Sequence, residues 1–171
     1  PDLRFPDEFS TGEWSGFVDI REFECNYALV RDNQFDPVHG SFLHAGTHAL
    51  AWGETAGDLE FERTETGFVV YRKYQQNVNL DRTELFRYEG CGFWAVTDFP
   101  FREQEGGGTV RLFCYPTPID RENTLVYNYR LQKRTGWQRD LWRFLYKNRV
   151  SERGAVVLEQ DRVALTAIPR D

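Results

Sequence analysis

The sequence predicts an α+β domain in which a curved antiparallel sheet is closed by C-terminal helices. Three observations carry that expectation. A central run of aromatic and β-branched segments is bounded by turn residues, a short helical pattern precedes it, and two helical patterns follow it. With 171 residues, 40% of them hydrophobic and 16% aromatic, the chain can bury one real core and is expected to form a single domain over residues 1–171.

The elements follow in order. Residues 1–16 contain two prolines and little periodicity, and read as an irregular lead-in to a first strand, Phe17–Phe23. Between Asn26 and Asn33, the residues Tyr27, Leu29 and Val30 are spaced as on a short amphipathic helix, which Pro37 interrupts or restarts. Phe68–Tyr74, Gly92–Asp98, Val110–Tyr115 and Thr124–Gln132 read as strands of an antiparallel sheet. In the last of these, Leu125, Tyr127, Tyr129 and Leu131 alternate with Val126, Asn128 and Arg130, which predicts one buried face and one more polar face. Thr135-Gly136-Trp137-Gln138 fits a capping box, with Thr135 as the cap and Gln138 three residues on. The helix behind it places Trp137, Leu141, Phe144 and Leu145 on one face. A second helical stretch after Gly154 carries Val157, Asp161, Ala164 and Leu165.

Composition excludes several classes. The formal charge of -6 and the scatter of Lys and Arg give a phosphate backbone little to bind, so nucleic acid is not an expected partner. No run of 18 apolar residues and no basic-then-apolar leader is present, and the expectation is a cytoplasmic protein that does not enter a membrane. Cys25, Cys91 and Cys114 are far apart with no Cys-x-x-Cys pair, which fits buried thiols better than a disulfide framework or a thiolate metal site. The chain begins at Pro1 and contains no Met, which fits a piece of a longer polypeptide.

All three histidines fall within ten residues, at His39, His44 and His48. Two imidazoles with one carboxylate, leaving open positions, form a ligand set suited to ferrous iron that must bind dioxygen. Residues five apart on an ideal helix are separated by about 140°, so His39 and His44 share a metal only if the helix breaks between them, for which Gly40 and Ser41 are the cheapest place. His48, beyond Gly46 and Thr47, reads as a loop residue. Asp36, directly before Pro37, also suits a helix N-cap. For the carboxylate, Asp161 is the leading candidate because an acid on an apolar helix face is costly unless paired or metal-bound, and Asp140 is its rival.

The segment from Cys25 to His44, with Asn26-Tyr27 opening a helix and Asp36-Pro37-Val38-His39 leading to His44 five residues on, resembles the iron-site segment of the large subunit of Rieske-type non-haem iron oxygenases. Glu159-Gln160-Asp161-Arg162 resembles the family's distal carboxylate segment, and Pro118-Ile119-Asp120 with Thr124 its strand-turn-strand region. The resemblance implies a helix-grip, START-like fold and a mononuclear Fe(II) held by His39, His44 and Asp161. It further implies that Asp36 bridges to a Rieske-cluster histidine on the neighbouring subunit of a homotrimer. The implied reaction is hydroxylation or demethylation of a small, aromatic substrate by dioxygen, with electrons from a [2Fe-2S] centre fed by a reductase or ferredoxin. The short interval between Asn33 and Asp36 resembles the monooxygenase and demethylase branch. The family's Cys-x-His and Cys-x-x-His cluster ligands are absent from this sequence, so either the Rieske domain and its cluster are on a segment outside it or the chain is a shortened relative with lost activity, and in both cases the chain alone is expected not to turn over.

Two other readings keep part of this pattern. A helix-grip module that binds an apolar ligand without catalysis retains the fold and drops the metal. A zinc hydrolase would use the same ligands, but no His-Glu-x-x-His pattern supplies a general base. Phe93, Trp94, Phe113, Tyr127 and Tyr129 are the sheet residues expected to supply apolar pocket walls, although most of them would be core.

Overall fold

The computed structural model describes residues 5–36, 38–45, 58–76, 79–90, 92–100 and 107–169. Pro37, His48 and Cys91 lie outside the described residues, as do the side chains of Phe93 and Trp94. The sheet has seven antiparallel strands: β1 (Trp14–Phe23), β2 (Asp58–Arg63), β3 (Gly67–Gln76), β4 (Asn79–Glu89), β5 (Phe93–Pro100), β6 (Thr109–Pro118) and β7 (Thr124–Lys133). Their spatial order is β1-β7-β6-β5-β4-β3-β2. Strands β2 to β7 are therefore a meander, and β1 pairs with the last of them, Trp14 opposite Lys133 through Phe23 opposite Thr124. Helices α1 (Tyr27–Phe35) and α2 (His39–Leu43) lie between β1 and β2 in the chain. After β7 come α3 (Gly136–Leu145), a π-helical turn (Tyr146–Val150) and α4 (Ser151–Thr166). This is the α+β class the sequence predicts, with helices following an antiparallel sheet.

Strands β2 and β4 are absent from the sequence reading. Asp58-Leu59-Glu60-Phe61-Glu62-Arg63 alternates, but its Leu59 and Phe61 are exposed on an edge strand rather than buried. Strand β4 is highly charged and is held by its neighbours rather than by propensity. The β3–β4 register passes from Val70 opposite Phe86 to Tyr71 opposite Glu84 and so skips Leu85, and the consecutive Leu85 and Phe86 are both buried.

One sheet face carries Phe23, Cys114 and Val126, which form a core with Cys25, Val30 of α1 and Leu165 of α4. The opposite face carries Phe113, Tyr115 and Tyr129, covered by Phe5 and Phe9 of the N-terminal segment; Phe9 meets the Tyr129 ring at 5.0 Å and the Phe113 ring at 5.5 Å. Strand β7 is thus covered on both sides. Thr124, Val126 and Gln132, on the face expected to be the more polar, are all buried. Phe113 and Tyr129 point away from the helices and do not wall a pocket beside them. Alternation puts Tyr127 on their side too.

The C-terminal helices depart from three expectations. Thr135 occupies the N-cap position but makes no side-chain capping bond. Gly136, at φ +54, swings the first turn out of the geometry in which a Thr hydroxyl meets the third amide. The face with Trp137, Leu141 and Phe144 is solvent-exposed, Trp137 by 71%, whereas Trp142, Tyr146 and Val150 at i, i+4 and i+8 form the buried stripe. Phe17 of β1 decides between the two stripes by stacking on Tyr146 at 4.3 Å and packing against Trp142. Gly154 lies inside α4 rather than before it. A Cβ there would stand 2.6 Å from the Arg130 guanidinium, which hydrogen-bonds the Tyr146 hydroxyl.

Candidate metal centre

Helix α1 starts at Asn26, whose side chain accepts the Ala28 N–H. At 100° per residue the helix sends Val30 and Gln34 down towards β6, Phe35 towards Phe68 and Tyr88, and Asn33 sideways to α4. The chain leaves helical geometry at Asp36 (φ -92, ψ 97), whose carboxylate accepts the Val38 N–H at 2.8 Å. His39 opens α2 and His44 caps its end at φ -107, ψ 8. The break is therefore not at Gly40–Ser41, where the helix runs on. It flanks the pair on either side, so a single short turn carries both rings. Their centroids are 5.3 Å apart and nearly perpendicular, at 78°.

Asp161 reaches this turn from α4. Its Oδ1 lies 3.2 Å from His44 Nε2 and 3.6 Å from His39 Nε2. One ligand atom from each of His39, His44 and Asp161 falls within 4.8 Å of the others. Two ligands about 2.1 Å from a first-row metal stand roughly 3.0 Å apart at a right angle and about 3.4 Å apart in a tetrahedron. The two distances from Asp161 Oδ1 match that spacing, whereas the three ligand atoms together span up to 4.8 Å, so holding one ion would draw the set closer together. Asp140, the rival carboxylate, is exposed on α3 and paired with Arg139 at 3.5 Å.

Both rings are held by their Nδ1 atoms. His39 Nδ1 contacts the backbone carbonyl of Asp36, and His44 Nδ1 lies 2.9 Å from Gln160 Oε1. In that arrangement Nδ1 carries the proton and Nε2 offers its lone pair. Asn33 Nδ2 donates to Asp161 Oδ1 at 3.1 Å. Burial lowers the His44 pKa, but its hydrogen bonds to Asp161 and Gln160 and the Asp161 charge outweigh burial, and the pKa sits above its ordinary value. An imidazole poised against an acid in this way gives up a proton when a cation takes its place. Asn33 and Gln160 were not recognised from sequence as site residues. The signal available was their placement, one within the first helix and the other directly before Asp161.

On the same sheet face, Gln34 Nε2 lies 2.8 Å from the buried Cys114 Sγ, and Asn128 sits directly across from Cys114. Among the described residues, Arg31 Nη1, Gln34 Oε1 and Asn128 Oδ1 are buried without a hydrogen-bond partner. Arg31 also stacks over Tyr88 at 4.8 Å and donates to the Gly92 carbonyl.

The fold is that of the catalytic domain of Rieske-type oxygenases. It aligns with NdmB of Pseudomonas putida CBB5 at a TM-score of 0.66 and 12% identity, over 97% of this chain and 45% of that one. The terminal oxygenase of carbazole 1,9a-dioxygenase from Novosphingobium sp. KA1 aligns at 0.69 and 14% identity, over 97% and 52%. Pseudomonas putida CBB5 NdmA, solved with caffeine, aligns at 0.67 and 12% identity, over 99% and 48%. The chain thus spans about half the length of these structures. No curated protein matches the sequence. Residues 23–171 match the model of the vanillate O-demethylase oxygenase C-terminal domain, and the chain belongs to that family.

Proposed function

We propose that this chain is the mononuclear iron catalytic domain of a Rieske oxygenase that hydroxylates or demethylates a small, aromatic substrate. The observation that carries the reading is the convergence of His39, His44 and Asp161 from two helices. These three residues hold Fe(II), which when bound supplies the dioxygen chemistry that side chains lack. Grouped on one side, His39, His44 and Asp161 would hold the ion against α2 and α4 and would leave room beside it for substrate. The helices and sheet exclude water and hold the substrate. Arg31, Gln34 and Asn128 present buried polar atoms on the sheet face beside the site, which supports a substrate with polar substituents.

Asp36 is exposed and adjoins His39 through its own carbonyl, which supports its role as the bridge to a Rieske-cluster histidine of a neighbouring subunit. The [2Fe-2S] domain belongs to a further segment of the enzyme, a homotrimer of the cytoplasm fed by a reductase or ferredoxin. Carbazole 1,9a-dioxygenase oxygenases solved in complex with a ferredoxin support such a donor. Among the described residues, no helix is long and apolar enough to cross a membrane.

Elemental analysis of the chain purified without oxygen tests the metal. About one iron per chain is expected; zinc would favour the hydrolase, and no metal the non-catalytic ligand-binding module. In the complete enzyme, Asp36→Asn should keep its iron and lose turnover, and loss of iron with intact Rieske electron transfer would remove Asp36 from the bridging role.

A further inference from the structure

The geometry points to Gln160 as the positioning residue that fixes His44 in the tautomer able to bind the metal, an inference that rests on the iron site proposed above. The two histidines are held by different means. His39 Nδ1 meets a backbone carbonyl, an acceptor that no side-chain substitution removes. His44 is only 2% exposed, so water does not readily serve its Nδ1, and the contact at 2.9 Å is the Gln160 side chain.

A neutral imidazole has one N–H and one lone pair, and the group facing Nδ1 decides which nitrogen carries which. With the Gln160 carbonyl oxygen at Nδ1, one proton stays there, and Nε2, 3.2 Å from Asp161 Oδ1, is the nitrogen left to give its lone pair to an ion placed between them. Gln160 and Asp161 are consecutive on α4, so one helix delivers both the carboxylate ligand and the group that aims the imidazole opposite it. A small shift of α4 therefore moves both together. Hydrogen-bond partners of this kind raise ligand basicity and lock the ring, and their removal costs about 10- to 100-fold in metal affinity.

The test uses Co(II) as the probe, titrated anaerobically into the metal-free chain and into Gln160→Met, Gln160→Glu and His44→Ala. Gln160→Met keeps the length of the side chain and removes the acceptor, and should weaken Co(II) binding by about 10- to 100-fold. Gln160→Glu keeps an oxygen within the same reach and should stay within about threefold of the parent. Proton NMR of the Co(II) form should show hyperfine-shifted, slowly exchanging Nδ1–H signals from both histidines, with that of His44 lost in Gln160→Met. Parent affinity in Gln160→Met, an equal loss in Gln160→Glu, or a parent spectrum lacking the His44 Nδ1–H would each overturn the assignment. The spectrum of the parent decides even if a variant fails to fold. If His44→Ala binds Co(II) as the parent does, the metal site itself is wrong, a failure separate from that of Gln160.

Discussion

Asp161 Oδ1 faces two imidazoles and also receives the Asn33 amide, so the carboxylate is aimed from α1 as well as from its own helix. A hydrogen bond to a charged acceptor is worth about 1.5–3 kcal/mol. Asn33→Leu should therefore lower iron affinity by about tenfold or more, read by chelator competition, while the fold survives; unchanged competition would make the contact incidental. The next residue of α1, Gln34, lies against Cys114, whose thiol is pushed up to about 12 by burial, with Gln34 and Arg31 pulling down by less. It stays a neutral thiol at any working pH. Iodoacetamide at pH 8 should leave Cys114 unlabelled in the native chain and label it on unfolding, as peptide mass mapping would show. Native labelling would mean that this layer opens. At this scale the sequence was partly legible. The clustered histidines mark a candidate metal site, and Asp161 stands out as an acid on an apolar stretch. Asn33 and Gln160 are ordinary polar residues on ordinary helices, and only the meeting of α1, α2 and α4 reveals what they touch.

Elements were readable where one pattern dominated and misread where two competed. Helix α3 offers an apolar stripe through Trp137, Leu141 and Phe144 and another through Trp142 and Tyr146, and periodicity alone does not rank them. The choice belongs to Phe17, more than a hundred residues earlier in the chain. Trp142→Ala should cost about 3–5 kcal/mol in urea unfolding, as for a buried aromatic, and Trp137→Ala within about 0.5 kcal/mol. A reversal of these two costs would mean that α3 docks by its other face. Strands β2 and β4 escaped because their charge hides them: pairing with β3 stabilises both, and pairing is not a local property. The capping box at Thr135 misled because the motif cannot register that Gly136 adopts a positive φ.

Across the whole molecule the site closes the chain on itself. Gln160 and His44 are 116 residues apart in sequence, and an ion held by α2 and α4 ties the segment after β1 to the segment after β7. An ion that binds the folded chain alone stabilises it by about 2.7 kcal/mol at a hundred times its Kd. The melting temperature of the metal-free chain should thus rise with added Fe(II) under nitrogen, and the rise should vanish in His39→Ala. A variant that keeps the full shift would remove His39 from the ligand set. The α+β class was legible because the aromatic strands and terminal helices are local patterns. The order of the strands was not, since β1 returns to pair with β7 across the length of the chain.

The π-helical turn at Tyr146–Val150 bears on that closure as a matter of phase. A turn bonded i to i+5 takes in a residue more than an α turn, and each residue advances a helix by about 100°. Trp142 and Tyr146, ahead of and at the start of the turn, are fastened to Phe17, so the wide turn sets the azimuth at which Gln160 and Asp161 emerge. Removing one of the exposed residues Lys147, Asn148 or Arg149 should leave a folded sheet with Trp142 still docked and rotate the distal carboxylate roughly a quarter-turn or more away from the histidines. Such a deletion would blind the site without touching any residue in it.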